Sequence, residues 1–153
     1  MNHLPQLRVL VLGLGTSGLA MARWCASHGA QLRVWDSRTQ APQAEALRAE
    51  HPDVAVFSGD LTANDLADVQ LVLKSPGLAP HDARIAPLLQ AAAERGIAIG
   101  NELSLFIQAL ADLKAERRYA PKLLAVTGTN GKTTGAAVGG LLVQRCGNRV
   151  AAA

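Results

Sequence analysis

Leu7-Arg8-Val9-Leu10-Val11-Leu12-Gly13-Leu14-Gly15-Thr16-Ser17-Gly18 decides the fold. A largely apolar run ends in glycine and passes at once into residues with helical spacing, Gly15 to His28, which Gly29 closes. A strand that turns on glycines into a helix is the opening unit of a parallel sheet wrapped by helices. Gly13-Leu14-Gly15-Thr16-Ser17-Gly18 matches G-x-G-x-x-G, in which glycines permit a tight turn and a close approach of a diphosphate to the helix N-terminus. Any nucleotide diphosphate would suit such a loop, and the same glycines would also serve merely to pack helix on strand.

The alternation continues along the chain. Leu32 to Trp35 is a second strand, Pro42 to Glu50 a helix, Val54 to Phe57 a third strand, and Leu71-Val72-Leu73 with its neighbours a fourth. Pro87 opens a helix that runs to Arg95, Gly96 stops it, and Ile97-Ala98-Ile99 is a fifth strand. Asn101 to about Glu116 then carries Leu103, Phe106, Ile107, Leu110 and Leu113 on one helical stripe, with Lys114 to Arg118 as a solvated connector. The fold class expected is therefore α/β, a Rossmann-like doubly wound parallel sheet over residues 1–100.

A second glycine turn follows another apolar run, Leu123-Leu124-Ala125-Val126, expected as a strand. Thr127-Gly128-Thr129-Asn130-Gly131-Lys132-Thr133-Thr134 has the layout of a nucleoside-triphosphate cradle. Backbone N–H groups of Gly128, Thr129, Asn130, Gly131 and Thr134 would crowd phosphate oxygens, Lys132 would reach the β- and γ-phosphates, and the Thr133 hydroxyl would help to hold Mg²⁺. Val126 stands where the general pattern G-x-x-x-x-G-K-[ST] has its first glycine. Residues 101–153 thus read as a connecting helix and the start of a P-loop ATPase domain. That start contributes one strand, one helix and a further short strand at Arg149 to Ala152. One strand and one helix cannot cover their own apolar faces, so the chain is expected to be the N-terminal part of something larger, binding rather than catalysing by itself.

Composition excludes several classes. Nearly half the residues (49%) are hydrophobic and 18% are charged, which suits a packed domain and not a disordered chain. A net charge of +3 is compatible with anionic ligands but too mild for nucleic acid, and no long basic run exists. No uninterrupted apolar stretch has the length of a membrane span and Met1 to Pro5 lacks a signal-peptide pattern, so no membrane association and a cytoplasmic location are expected. Cys25 and Cys146 fall in expected helices and read as buried, reduced thiols. Cys25 and His28 share a helix face, but two ligands make a poor metal site.

Three loops carry the rest of the chemistry. Asp36 ends the second strand 18 residues after Gly18, close to where a dinucleotide fold places its ribose-binding carboxylate, so a NAD(P)-binding oxidoreductase domain is a legitimate rival. Asp36 is followed by Ser37-Arg38, however, and the fourth strand ends in Lys74-Ser75-Pro76-Gly77, where an oxidoreductase usually has an aliphatic turn. Pro76 and Gly77 by themselves predict a type II turn.

Taken in order, Gly13 to Gly18, Asp36-Ser37-Arg38, Ser75-Pro76-Gly77, Glu102-Leu103-Ser104-Leu105-Phe106 and Gly128 to Thr134 resemble the Mur ligases, the enzymes that build the peptide of the bacterial cell wall. The similarity runs along nearly the whole chain and favours the branch that adds D-glutamate; a sister ligase of a neighbouring step and a stand-alone uridine-nucleotide sensor are the other readings. The resemblance implies a role in peptidoglycan precursor synthesis, and through it in cell shape and cell division. It implies three substrates, UDP-N-acetylmuramoyl-L-alanine, D-glutamate and ATP, with Mg²⁺, acting through an acyl phosphate in a monomeric enzyme. It puts Gly15, Thr16, Ser17 and Gly18 at the uridine diphosphate, Asp36, Ser37 and Arg38 around the uracil, and Ser75, Pro76 and Gly77 along the path of the sugar. Gly128 to Thr134 would take ATP, with Lys132 catalytic and Thr133 on the metal. Two departures stand out. Ser104 replaces a glutamate usual in the family, and Gly135, Gly139 and Gly140 are expected to weaken the helix behind the phosphate loop by of order ~1 kcal/mol each.

Overall fold

The computed structural model describes residues 4–151. The chain forms two compact units, Met1–Tyr119 and Ala120–Ala153. In the first, β1 (Arg8–Leu12), α1 (Thr16–Ser27), β2 (Gln31–Trp35), α2 (Ala44–Glu50) and β3 (Ala55–Phe57) alternate as the hydropathy pattern requires. A 3-10 turn (Ala63–Leu66), β4 (Leu71–Lys74), α3 (Ala86–Glu94), β5 (Ala98–Gly100) and α4 (Glu102–Arg117) follow. All five strands run parallel in the order β3-β2-β1-β4-β5. The order reverses between β1 and β4, which makes the sheet doubly wound and opens a crevice at the carboxyl ends of those two strands.

The period-two alternation of β1 divides the core. Val9 and Val11 pack with Met21, Cys25 and Leu47 on one face, while Leu10 and Leu12 pack with Trp35, Ile85 and Leu88 on the other. The α1 helix approaches β1 closely. A Cβ on Gly18 would lie 1.9 Å from the Gly13 carbonyl oxygen, a distance no side chain survives. Gly15 faces open space, with no atom near the position its Cβ would take.

One detail of this unit differs from expectation. The stripe of Leu103, Phe106 and Ile107 on α4 is exposed, and the buried residues of that helix are Leu105 and Ala109. Periodicity finds an apolar stripe but not its partner, and α1 and β5 receive the narrower Leu105–Ala109 face. Ser104 also has work of its own: its N–H donates to Asn101 Oδ1 at 3.0 Å and its hydroxyl accepts from the Asn101 N–H at 3.2 Å, a reciprocal cap on α4. Cys25 is fully buried, and burial pushes its thiol up to about 12. His28 stacks on Trp24 at 4.2 Å between ring centroids, and its Nδ1 lies 2.8 Å from the Trp24 carbonyl oxygen.

The second unit holds α5 (Lys132–Arg145). The helix runs through Gly135, Gly139 and Gly140, the residues expected to weaken it. Added Cβ atoms there would meet Val126 Cγ1 at 3.3 Å, Leu124 Cδ2 at 3.5 Å and Val150 Cγ1 at 3.6 Å, so the glycines let flanking apolar chain lie close against the helix. Leu123 to Val126 is not a strand, because no neighbouring strand pairs with it among the described residues. Arg149 to Ala151 is likewise unpaired, and the last residue of the strand expected there, Ala152, lies outside the described residues, as do Met1 to His3 and Ala153. Cys146 caps the C-terminus of α5 and is exposed, not buried.

The glycines of the first loop give a paired test. Gly18→Ala should cost about 3 kcal/mol by overpacking, whereas Gly15→Ala should stay within about 1 kcal/mol of the parent. Urea unfolding of both variants measures this, and equal losses would show that the helix can move off the strand.

Candidate functional site

Leu12 pairs in register with both Trp35 and Lys74, so the loops that begin at Gly13, Asp36 and Ser75 leave the sheet side by side. Backbone bonds lock the exits. The Gly13 N–H donates to the Trp35 carbonyl at 2.7 Å, and the Ser75 N–H donates to the Leu12 carbonyl at 2.9 Å. A Cβ on Gly13 would sit 3.0 Å from Ser75 Cβ, which shows how tightly the first and third loops abut. The fold thus brings Gly15, Thr16, Ser17, Gly18, Asp36, Ser37, Arg38, Ser75, Pro76 and Gly77 to one edge of one sheet.

Asp36 organises this edge. It is 2% exposed, and its two oxygens accept four hydrogen bonds. Oδ2 takes the Leu14 N–H at 2.7 Å and Arg38 Nη2 at 2.9 Å. Oδ1 takes the Arg38 N–H at 2.9 Å and Arg38 Nε at 2.8 Å. A carboxylate offers about four lone-pair sites, and all are filled, so none is left for a ribose hydroxyl. The dinucleotide-binding reading loses its main contact here. Arg38 beside it, with the Leu14 and Arg38 N–H groups, holds the Asp36 carboxyl down to about 2 despite its burial.

Thr16 and Ser17 occupy the first turn of α1, whose N-cap, Gly15, supplies no side-chain cap. The first N–H groups of a 12-residue helix therefore face the crevice with a partial positive charge and no side chain over Gly15. Ser75-Pro76-Gly77 is a hydrogen-bonded turn, with the Leu78 N–H donating to the Ser75 carbonyl at 3.1 Å. It is not type II as expected. Gly77 lacks the positive φ which that turn needs, and proline at the second position suits type I equally. Lys74 Nζ donates to the Leu78 carbonyl at 2.6 Å and braces the turn.

Sequence reasoning missed Asp82 and Arg84. Asp82-Ala83-Arg84 repeats the spacing of Asp36-Ser37-Arg38, and the same geometry follows. Asp82 Oδ1 accepts the Arg84 N–H at 3.0 Å and Arg84 Nε at 2.9 Å, and Arg84 Nη2 pairs with Asp82 Oδ2. Arg84 Nη1 donates to Ser37 Oγ at 3.0 Å, joining residues 47 apart. The recurrence of Asp-x-Arg was the available signal.

In the second unit Gly131, at φ +74°, is the N-cap of α5, so Lys132, Thr133 and Thr134 form the first helical turn. Lys132 Nζ folds back to donate to the Gly128 carbonyl at 2.6 Å, which places the ammonium over the loop. Thr129 and Asn130 form its tip. An ammonium, a helix N-terminus and two hydroxyls fit the oxygens of a polyphosphate. The Thr133 hydroxyl could supply one oxygen to Mg²⁺; among the described residues no three His, Cys, Asp or Glu side chains gather to hold a metal.

A depressed carboxyl stabilises the fold above its ordinary titration range and loses that effect as pH falls through its folded value. Asp36 sits at about 2 against an ordinary 3.8, so it should contribute about 2 kcal/mol at neutral pH, lost between about pH 4 and pH 2. Asp36→Asn should therefore be less stable at pH 7, and its deficit should shrink by about that amount on acidification to pH 2. Unfolding free energies across that range would contradict this if the deficit stayed constant.

The family model described as the Mur ligase MurD-like N-terminal domain matches residues 7–101. The chain is 54% identical over 145 residues to the UDP-N-acetylmuramoylalanine–D-glutamate ligase of Ralstonia nicotianae, a match covering 95% of this chain and 29% of that protein. It is 54% identical over 155 residues to the ligase of the same name from Albidiferax ferrireducens, covering 100% of this chain and 30% of the relative. This chain therefore spans somewhat under a third of the length of these relatives. Among solved structures, a pseudomurein peptide ligase type C from Methanothermus fervidus is 23% identical with a TM-score of 0.52, covering 84% of this chain and 24% of that one; it shares the fold. With a family match across the whole five-stranded sheet, the chain belongs to the Mur ligases, as the N-terminal part of a MurD-like member.

Proposed function

We propose that this chain is the substrate-nucleotide end of an ATP-dependent ligase that joins D-glutamate to UDP-N-acetylmuramoyl-L-alanine, in the synthesis of peptidoglycan precursors in the cytoplasm. The observation that carries the reading is the saturated Asp36 beside an uncapped α1 N-terminus. Such an edge offers donors to a diphosphate and withholds a carboxylate from a dinucleotide ribose.

In this reading the N–H groups at the start of α1, with Thr16 and Ser17, hold the diphosphate. Gly15 lets it approach without obstruction, and Gly18 seats the helix that does the holding. Ser37 and Arg38 border the base, and Ser75, Pro76 and Gly77 border the sugar. The loop Gly128 to Thr134 cradles ATP, with Lys132 countering the charge on the β- and γ-phosphates and Thr133 contributing an oxygen to Mg²⁺. Bound Mg²⁺ would offset charge on the phosphoryl group in transfer. The chemistry such a ligase performs is a transfer followed by a condensation. The alanyl carboxylate takes the γ-phosphoryl group and ADP departs; the amine of D-glutamate then attacks the acyl carbon, losing a proton as phosphate leaves. A carboxylate and an amine do not condense unaided in water, and phosphate supplies the leaving group. The whole enzyme acts as a monomer in this proposal and involves neither nucleic acid nor membrane; no helix of the described residues is long and apolar enough to cross a membrane.

Titration calorimetry on the 153-residue chain should find UDP and UDP-N-acetylmuramoyl-L-alanine bound more tightly than NADH. Gly15→Asp should leave the fold intact, since aspartate is a favourable N-cap, while weakening UDP by about tenfold or more through repulsion at the helix terminus. Tighter binding of NADH than of UDP, or indifference of UDP to Gly15→Asp, would sink the proposal.

The second unit supports a further expectation. No residue of α5 is buried, and Leu123, Leu124, Leu141 and Leu142 are exposed, so the phosphate loop rests on a lightly packed support. MgATP should bind this chain only in the millimolar range or weaker, roughly 4 kcal/mol or less, with no phosphate release when both other substrates are present. Substrate-dependent phosphate release by the chain alone would show the catalytic centre to be complete within it.

A further inference from the structure

Among the hydroxyls at the crevice edge, that of Ser37 keeps its proton unspent. Ser37 Oγ accepts from Arg84 Nη1 at 3.0 Å, while its own proton has no acceptor among the described residues. Of the two residues that flank Ser37, Asp36 accepts from four donors and Arg38 turns its Nε and Nη2 onto Asp36. Arg84 is held rigidly: Nε and Nη2 both go to Asp82, whose Oδ1 also takes the Arg84 backbone N–H, so the third edge of the guanidinium is aimed at Ser37. A surface ion pair alone would need no such aim. The Arg84 contact also ties the loop after β4 to the loop after β2 across the mouth of the crevice.

We infer that Arg84 is a positioning residue that makes the Ser37 hydroxyl a hydrogen-bond donor, and so makes the crevice select a keto base over an amino base. A hydroxyl that accepts from a cation is polarised into a stronger donor and a poorer acceptor. A pyrimidine with oxygen at position 4 accepts from that hydroxyl, whereas cytosine presents a donor amino group there and meets an oxygen whose acceptor strength Arg84 has already drawn down. The preference for uracil over cytosine therefore depends on a residue 47 positions away that need not touch the base. The inference rests on the reading that a uridine nucleotide enters this crevice base-first beside Ser37.

The test compares UDP with CDP by calorimetry on the 153-residue chain and its variants. The parent should favour UDP by about tenfold, equal to about 1.4 kcal/mol. Arg84→Ala should reduce that ratio to about twofold or less, while melting shifts by less than about 2 °C because the side chain is 56% exposed. Arg84→Lys should behave like the alanine variant, since lysine cannot fork between Asp82 and Ser37. In a Ser37→Ala background Arg84→Ala should change nothing further, which separates action through Ser37 from direct contact or a general structural role. A UDP-to-CDP ratio unaltered by Arg84→Ala, or an effect that persists in Ser37→Ala, overturns the inference while leaving uridine binding intact. Failure of the parent to bind UDP overturns instead the functional reading beneath it, and the inference with it.

Discussion

The Leu14 N–H lies in a buried loop that no strand can satisfy, and Asp36 Oδ2 accepts it at 2.7 Å. That bond ties the loop after β1 to the end of β2, and the arrangement of this sheet edge depends on it. An unpaired amide there would cost roughly 1–3 kcal/mol, and a bare buried carboxylate more, so neither group is tolerable without the other. Arg38 completes the arrangement by neutralising the charge and filling the remaining lone pairs. The carboxylate that sequence logic offered to a ligand is thereby spent on architecture. What remains for a ligand at this edge is a set of donors: the α1 N-terminus, the Ser37 hydroxyl and guanidinium edges.

The glycines of the first motif divide the labour in a way the motif itself does not reveal. Gly18 is a packing residue, without which α1 could not lie on the Gly13 carbonyl, and Gly15 is open toward the crevice. The packing reading of the motif holds at Gly18, while Gly15 leaves the room that the proposed phosphate turn would need. The glycines of α5 follow the first logic. They cost helix propensity but admit Val126, Leu124 and Val150 to close contact, so a feature that looked like local weakness allows local packing.

Placing anion sites on helix N-termini leaves charge recognition to the backbone and selectivity to the loops. In the first unit two Asp-x-Arg clamps bracket Ser37 in those loops. Each holds a guanidinium by a local two-residue device, so little side-chain entropy remains to be lost on binding. Lys132, with a flexible stem, is instead held by a single carbonyl.

Secondary structure and its order were legible because hydrophobic periodicity is local. β1, β2, β4 and the helices fall within a residue or two of where the pattern of Leu7 to Leu12, Leu32 to Trp35 and Leu71 to Leu73 puts them. A parallel doubly wound sheet follows from alternation alone, and the glycine loops pointed to nucleotides because phosphate chemistry needs few residue types. Tertiary structure decided what depends on partners distant in the chain. Asp36 is saturated only because Leu14 comes back to it across 22 residues, and Arg84 meets Ser37 only because β4 lies beside β1, bringing their loops to one edge. The strand expected at Leu123 to Val126 needed a neighbour, the α4 stripe needed a surface to cover it, and the Ser75 turn took the type its surroundings favoured. Composition and spacing determine which elements a chain can form; pairing, burial and hydrogen-bond accounting depend on which elements meet, and only the folded chain sets that.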